Sequence, residues 1–322
     1  MATPTAVLSP RTRSLGGRVR GGDGIATAFT FFFALLILAV TVLLVVELWR
    51  NSLPSREKMG LGFLTSSLWN PVTDEYGALP FIYGTVLTSF LALLISVPLG
   101  VGAAVYLSEL AAPGISGALT FLVELLAAVP SVIFGLIAIF TLVPMMRDYI
   151  APGLKKAFGF TPLFTGPSFG VGYLTAGIIL AIMTFPFIVS VSREALISVP
   201  REQREAALAL GATKWESTWQ AVIPFARLGI FGSIFLGLAR ALGETMAVTM
   251  VIGNSPSIHA SLLSPGYTIA AVIANEFTEA SGRIYTSALV ELGLVLFILT
   301  MIINGLAQLM IFVTTGKGSR KA

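Results

Sequence analysis

The 322-residue sequence contains no cysteine, so disulfides and thiolate metal sites are excluded. It contains one histidine, His259, so this chain cannot build a multi-histidine metal site. Charge is scarce as well. Only 11% of residues are Asp, Glu, Lys or Arg, against roughly 25% in soluble domains. A Walker A pattern, GxxxxGK[ST], is missing, and TTGKGS at 314–319 lacks its first glycine. The chain therefore cannot hydrolyse ATP as a P-loop enzyme. What it has in abundance is apolar sequence: 55% of residues are hydrophobic and the mean hydropathy is +0.88. These proportions predict an all-α polytopic membrane protein.

Hydropathy predicts about six transmembrane helices, near Ile25–Leu48, Phe81–Leu107, Ala118–Pro144, Tyr173–Ile197, Leu228–Ile252 and Tyr285–Val313. Each is long enough for a bilayer core of about 30 Å at 1.5 Å per residue. Arg11, Arg13, Arg18 and Arg20 precede the first span like the basic region of a signal peptide, but the apolar run is too long and no clear cleavage site follows, so it reads as a retained anchor. Twelve Lys and Arg residues fall on the side of both termini and seven on the other, with Arg240 left inside the membrane. Both termini are therefore expected in the cytoplasm, and the net charge of +4 reflects topology rather than nucleic-acid binding. The expected organisation is a disordered basic tail at 1–24, a transmembrane domain at 25–313 and a short cytoplasmic tail at 314–322. Trp69 reads as an interfacial anchor in the external loop 50–80. The external piece 268–277 is too short to span and is expected to dip into the membrane or lie on it. Pro98, Pro130 and Pro186 read as ordinary kinks or as bends lining a pathway.

The most informative stretch runs from Glu205 to Gly253. Its first part belongs to the largest cytoplasmic loop, 198–227. Pro200 can start a helix, Arg201 to Leu210 favour one, and Gly211 suits the left-handed position that ends it. Thr213 and Glu216 form a capping box for a second short helix. Trp215 and Trp219 share one face of that helix, and Pro224 is expected to close it before the next span. The pattern predicts a rigid helix–turn–helix. It is either an amphipathic loop on lipid headgroups or a surface that another chain reads, with Ala206, Ala207 and Ala209 permitting close approach.

The second part carries Arg240 near the middle of an apolar span and Glu244 four residues later, expected one turn away on the same face. Arginine at that depth costs at least about 2.5–3.5 kcal/mol on insertion scales. Two readings stand: a neutralised structural pair, or an anion ligand whose planar fork suits phosphate or another oxyanion while Glu244 holds it between anions. Glu124, on another span, is expected to be a further buried carboxylate.

Glu205-Ala206-Ala207, with Gly211 and Pro224 at their spacing, resemble the EAA loop of bacterial ABC-importer permeases. ELLAAVPSVIFG at 124–135 and LARALGETMAVTMVIGN at 238–254 resemble PstC-type permease subunits of phosphate importers. The resemblance covers about residues 25–313 and implies a type I ABC-importer architecture. It also implies that Glu205, Ala206, Ala207, Gly211 and Pro224 dock onto an ATPase, and that Arg240 and Glu244 take part in phosphate passage. The implied partners are PstB-type ATPases, a PstA-type second permease and an extracytoplasmic PstS-type binding protein, all at the bacterial inner membrane. ATP and Mg²⁺ would be bound by the ATPase, and no cofactor, metal or catalytic residue is expected on this chain. Importers of molybdate, sulfate or phosphonate, or a secondary transporter, are the alternatives. A hydrolase using Ser168 of GPSFG and His259 fits poorly, because Ser168 lies in a Gly/Pro-rich loop rather than on a strand-to-helix elbow.

Overall fold

A computed structural model describes residues 23–316 of the chain, so all but two residues of the predicted tail at 1–24 and all but three of that at 314–322 lie outside the described residues. The chain divides into two compact units, 1–50 and 51–322. The first carries helix α1 (Asp23–Asn51) as far as Arg50; it is apolar on every side, as a lipid-embedded span requires.

The second unit opens with α2 (Leu53–Met59), α3 (Gly62–Thr65) and a short antiparallel hairpin, β1 (Trp69–Asn70) and β2 (Glu75–Tyr76), pairing Trp69 with Tyr76. Helices α4 (Leu79–Val105), α5 (Pro113–Ala127), α6 (Ser131–Ile137), α7 (Val143–Met145), α8 (Ala151–Phe158) and α9 (Tyr173–Ile197) follow. Then come α10 (Arg201–Ala209), α11 (Lys214–Ser217), α12 (Ile223–Gly243), α13 (Met246–Ile252), α14 (Ile269–Glu276) and α15 (Arg283–Gly316). Among the described residues, six helical stretches are long and apolar enough to cross a membrane, the third being Ser131–Phe158 and the fifth Lys214–Gly243.

The packed centre is α9 against α4 and α12. Its pivot is Ile188, fully buried on α9. A Cβ added at Gly100 of α4 would sit 2.8 Å from Ile188 Cγ2, and one at Gly237 of α12 would sit 3.1 Å from Cγ1. Two glycines thus let both neighbours close onto one isoleucine, the small-residue packing expected where lipid removes any hydrophobic drive between helices. The hydroxyls of Ser192 and Ser233, 2.7 Å apart, tie α9 to α12 again.

Prolines shape the remaining elements in three ways. Pro98 and Pro186 lie inside α4 and α9 without ending them. Pro130 ends a helix: α5 stops at Ala127 and α6 starts at Ser131, so the span expected at Ala118–Pro144 is two helices. Elsewhere, π-helical turns at Ala138–Leu142, Met146–Ile150 and Thr218–Val222 each precede a proline, namely Pro144, Pro152 and Pro224. A widened turn accommodates a residue that cannot donate to the preceding turn and whose ring crowds it. Pro224 consequently does not close the helix after Gly211, because α11, the π-turn and α12 run on as one rod.

Two further stretches take a defined place. The piece at 268–277 forms α14, started by Thr268 Oγ1 accepting from the Ala271 amide at 3.3 Å, and its Ile269, Ala271 and Val272 are buried in the protein core. Trp69 is not a free interfacial anchor. Its ring meets Tyr76 and Phe81 edge-on at 4.9 and 4.8 Å, and its Nε1 donates to Glu276 at 2.8 Å. It clamps the hairpin onto α4 and α14.

Candidate functional site

The loop 198–213 carries one exposed helix. Pro200 is its N-cap, with no N–H to leave unpaired, and no residue of α10 is buried. Gly211 has φ +89°, the left-handed position that lets the chain turn back, and its amide donates to the Leu208 carbonyl at 3.0 Å. The capping box forms as expected: the Thr213 amide donates to Glu216 Oε2 at 2.8 Å and the Glu216 amide donates to Thr213 Oγ1 at 3.3 Å. Leu210 at the tip is 90% exposed, an apolar side chain held out on the turn. Trp215 and Trp219 stack at 5.8 Å on the next rod. Glu205, Ala206, Ala207 and Gly211 are therefore gathered on one projecting element. Pro224 is not among them; it lies ten residues beyond Lys214, about 15 Å along the rod.

The second feature is a broken helix. Helix α12 ends at Gly243, Glu244 is extended (φ −69°, ψ 128°), and α13 begins at Met246. Arg240 therefore lies in the last turn of a helix rather than in a helix interior, about 18 Å from Leu228. There the unpaired terminal carbonyls favour a cation. Glu244 has left the helical register, and among the described residues no ion pair joins it to Arg240. The expectation of a same-face pair is thus corrected. Arg240 is instead held over the Phe187 ring, Cζ 4.2 Å from the centroid, and its buried Nε has no hydrogen-bond partner among the described residues. Phe187 immediately follows Pro186 on α9.

The other break faces this one. Helix α13, beyond the Glu244 break, packs on α6, beyond the Pro130 break, and Phe134, Ala138, Ala247 and Val248 share one core cluster. Interrupted backbone at membrane depth is tolerated where it is buried in protein or lines a cavity, and paired interruptions are how transporters expose polar groups to cargo. Glu124, expected to be buried, is exposed on α5, four residues before Ala128 ends that helix.

Sequence reading passed over Glu291 of α15. It is only 5% exposed, one turn from the contact in which the Ser55 amide of α2 donates to Ser287 Oγ at 2.9 Å. Its signal was available as the one acidic residue of the last span. Phe187 carried no signal, since an aromatic in an apolar run is ordinary. The hydrolase reading has no geometry behind it: no hydrogen bond joins Ser168 to His259 among the described residues, and the part of His259 in use is its carbonyl, accepting from the Tyr83 hydroxyl at 3.2 Å.

Residues 96–312 match the family described as binding-protein-dependent transport system inner membrane component. The chain belongs to this family. The match takes in both breaks and the whole loop 198–227 and leaves α1 outside. Among relatives of this permease, the phosphate transport system permease protein PstC of Mesorhizobium japonicum is 46% identical over 293 residues, 90% of either chain. PstC of Pasteurella multocida is 45% identical over 91% of this chain and 92% of its own. PstC 2 of Mycobacterium tuberculosis is 38% identical over 88% of each. The fold is shared with solved importers. A permease chain of a bacterial alginate ABC transporter aligns at TM-score 0.58 with 16% identity, over 90% of this chain and 96% of its own. A chain of the inward-facing MetNI methionine transporter aligns at TM-score 0.51 with 17% identity, over 74% and 94%.

Proposed function

We propose that this permease is one transmembrane subunit of an ATP-driven inorganic phosphate importer in a bacterial inner membrane, with both termini cytoplasmic. The observation that carries the reading is Arg240: a guanidinium at a helix break, deep in the apolar part of the chain, with no carboxylate against it among the described residues. The choice of phosphate over other oxyanions is supported by the names of the relatives.

Between anions, the Phe187 face holds Arg240 by a contact worth about 0.5–2 kcal/mol. Hydrogen bonds to a charged group are worth about 1.5–3 kcal/mol each, so an oxyanion offering two of them displaces the ring. The exchange is modest, as conduction requires: a site must admit its ion without trapping it. Glu244 borders the break and repels a passing anion, which confines it to the Arg240 side. A PstS-type protein would deliver phosphate from outside, and a PstA-type subunit would complete the pathway. PstB-type ATPases, which bind ATP and Mg²⁺, would close against Glu205–Gly211. The test is reconstitution with these three partners and measurement of ATP-dependent uptake of labelled phosphate, sulfate and molybdate. Uptake of phosphate alone is expected; preferential uptake of another oxyanion, or uptake without an ATPase, overturns the reading.

A further inference from the structure

We infer that Arg204 is a positioning residue that locks the docking helix to two membrane helices at once, so that a push on α10 is transmitted and not absorbed. The inference rests on the docking role proposed for Glu205–Gly211.

One guanidinium makes four hydrogen bonds to two other elements. Nε donates to Glu109 Oε2 at 3.0 Å and Nη2 to Glu109 Oε1 at 2.7 Å, a bidentate fork. Nη1 donates to the Val199 carbonyl at 2.6 Å and Nη2 to the Leu196 carbonyl at 2.8 Å. Leu196 lies in the last turn of α9 and Val199 two residues beyond its end, where carbonyls released by the helix accept from side-chain donors. Glu109 sits in the π-helical turn Tyr106–Leu110 that prolongs α4, with its side chain 9% exposed. Along the chain Ser198, Val199 and Pro200 join α9 to α10, and no residue of α10 is buried where it rests on the π-turn Thr218–Val222 and α11. Arg204 braces that corner.

The elements it braces lead to the candidate site. Nine residues back along α9 from Leu196 is Phe187, the ring that holds Arg240. From the π-turn, the Leu107 carbonyl accepts from Ser116 Oγ at 2.7 Å, which attaches α5, the helix that ends at the Pro130 break. A rigid α10 would thus move both interrupted helices' supports. Lysine could supply the charge here but not the fork, since it has no planar pair of donors.

The absence of cysteine permits a direct test in the assembled transporter, with labels at Glu202→Cys on α10 and Leu110→Cys at the end of α4. In the native background the interlabel distance should be narrowly distributed in both nucleotide-free and ATP-bound states. In Arg204→Ala the distribution should broaden, with the ATPases still co-purifying and phosphate uptake per ATP hydrolysed falling about tenfold. Glu109→Gln should do the same, and the double variant should lose no more than either single one, since the two act as a pair. Arg204→Lys, which keeps the charge, should fall between and serves if the alanine variant is poorly inserted. Unchanged uptake per ATP in Arg204→Lys and Glu109→Gln, or losses that multiply to about a hundredfold in the double variant, overturns the inference. Failure of the native permease to hold the ATPases would instead remove the docking role itself.

Discussion

Replacing Arg240 with glutamine separates the two readings of an intramembrane arginine more cleanly than any other change. Glutamine preserves length and some hydrogen-bonding capacity but removes the charge and the fork. An oxyanion seated on the guanidinium gains two charge-assisted hydrogen bonds, about 3–6 kcal/mol together. It must first displace the Phe187 contact, 4.2 Å from Cζ, at a cost of about 0.5–2 kcal/mol. A net loss of roughly 3 kcal/mol along the passage corresponds to about two decades in rate. Stability moves the other way. Among the described residues the arginine has no ionic partner, so its removal leaves no buried carboxylate unpaired and relieves an insertion cost of about 2.5–3.5 kcal/mol. Arg240→Gln should therefore accumulate in the membrane and assemble at least as well as the native chain, while initial phosphate uptake in proteoliposomes falls about a hundredfold. Arg240→Lys should lose about tenfold. Uptake within about threefold of native in the glutamine variant, at equal protein, would refute the argument, since the residue would then be only a structural cation on a helix end.

Other outcomes follow from the geometry. Gly211→Val forces a β-branched residue to φ +89°, a strain of about 1–3 kcal/mol at the docking turn, and should weaken co-purification of the ATPase or uncouple hydrolysis from uptake. Ala207→Asp should do likewise by placing a charge on the surface the partner approaches. Thr213→Ala removes half of the capping box and about 1 kcal/mol of local stability, seen as faster limited proteolysis between α10 and α12 with the membrane core unchanged. Gly84→Ala would drive a Cβ into the Tyr267 carbonyl, a backbone atom that cannot swing away, and should lower the thermal midpoint by an amount matching about 1–3 kcal/mol of overpacking.

Local signals proved reliable where local rules govern. The helix–Gly–capping box order at 200–216 was legible because N-caps, left-handed glycines and capping boxes depend on residues within one or two turns of each other. Hydropathy placed the fourth span at Tyr173–Ile197, the same bounds as α9, because no interruption falls inside it. The same signals misled at Pro130, Pro224 and Glu244. A hydropathy window cannot tell a helix from two helices in line, since both are equally apolar. It joined α5 to α6 and α12 to α13. Proline alone does not say whether a helix ends, as at Pro130, or widens into a π-turn and continues, as before Pro224.

Composition and motif spacing by themselves determined the class of this protein: too little charge for a soluble surface, no P-loop for its own motor, and a helix–glycine–capping-box turn whose residues sit within about a dozen positions of one another. Only the tertiary structure decided what its isolated charges touch. Arg240 and Glu244 are four apart and looked paired, yet the break after Gly243 turns one away and gives the other to Phe187, more than fifty positions earlier. Arg204 and Glu109 looked unrelated, yet they form the bidentate bridge at the foot of α9. The difference is physical. Helix starts and stops are settled by neighbours along the chain, whereas the partner of a buried charge is settled by whichever helices pack closely enough to bring one.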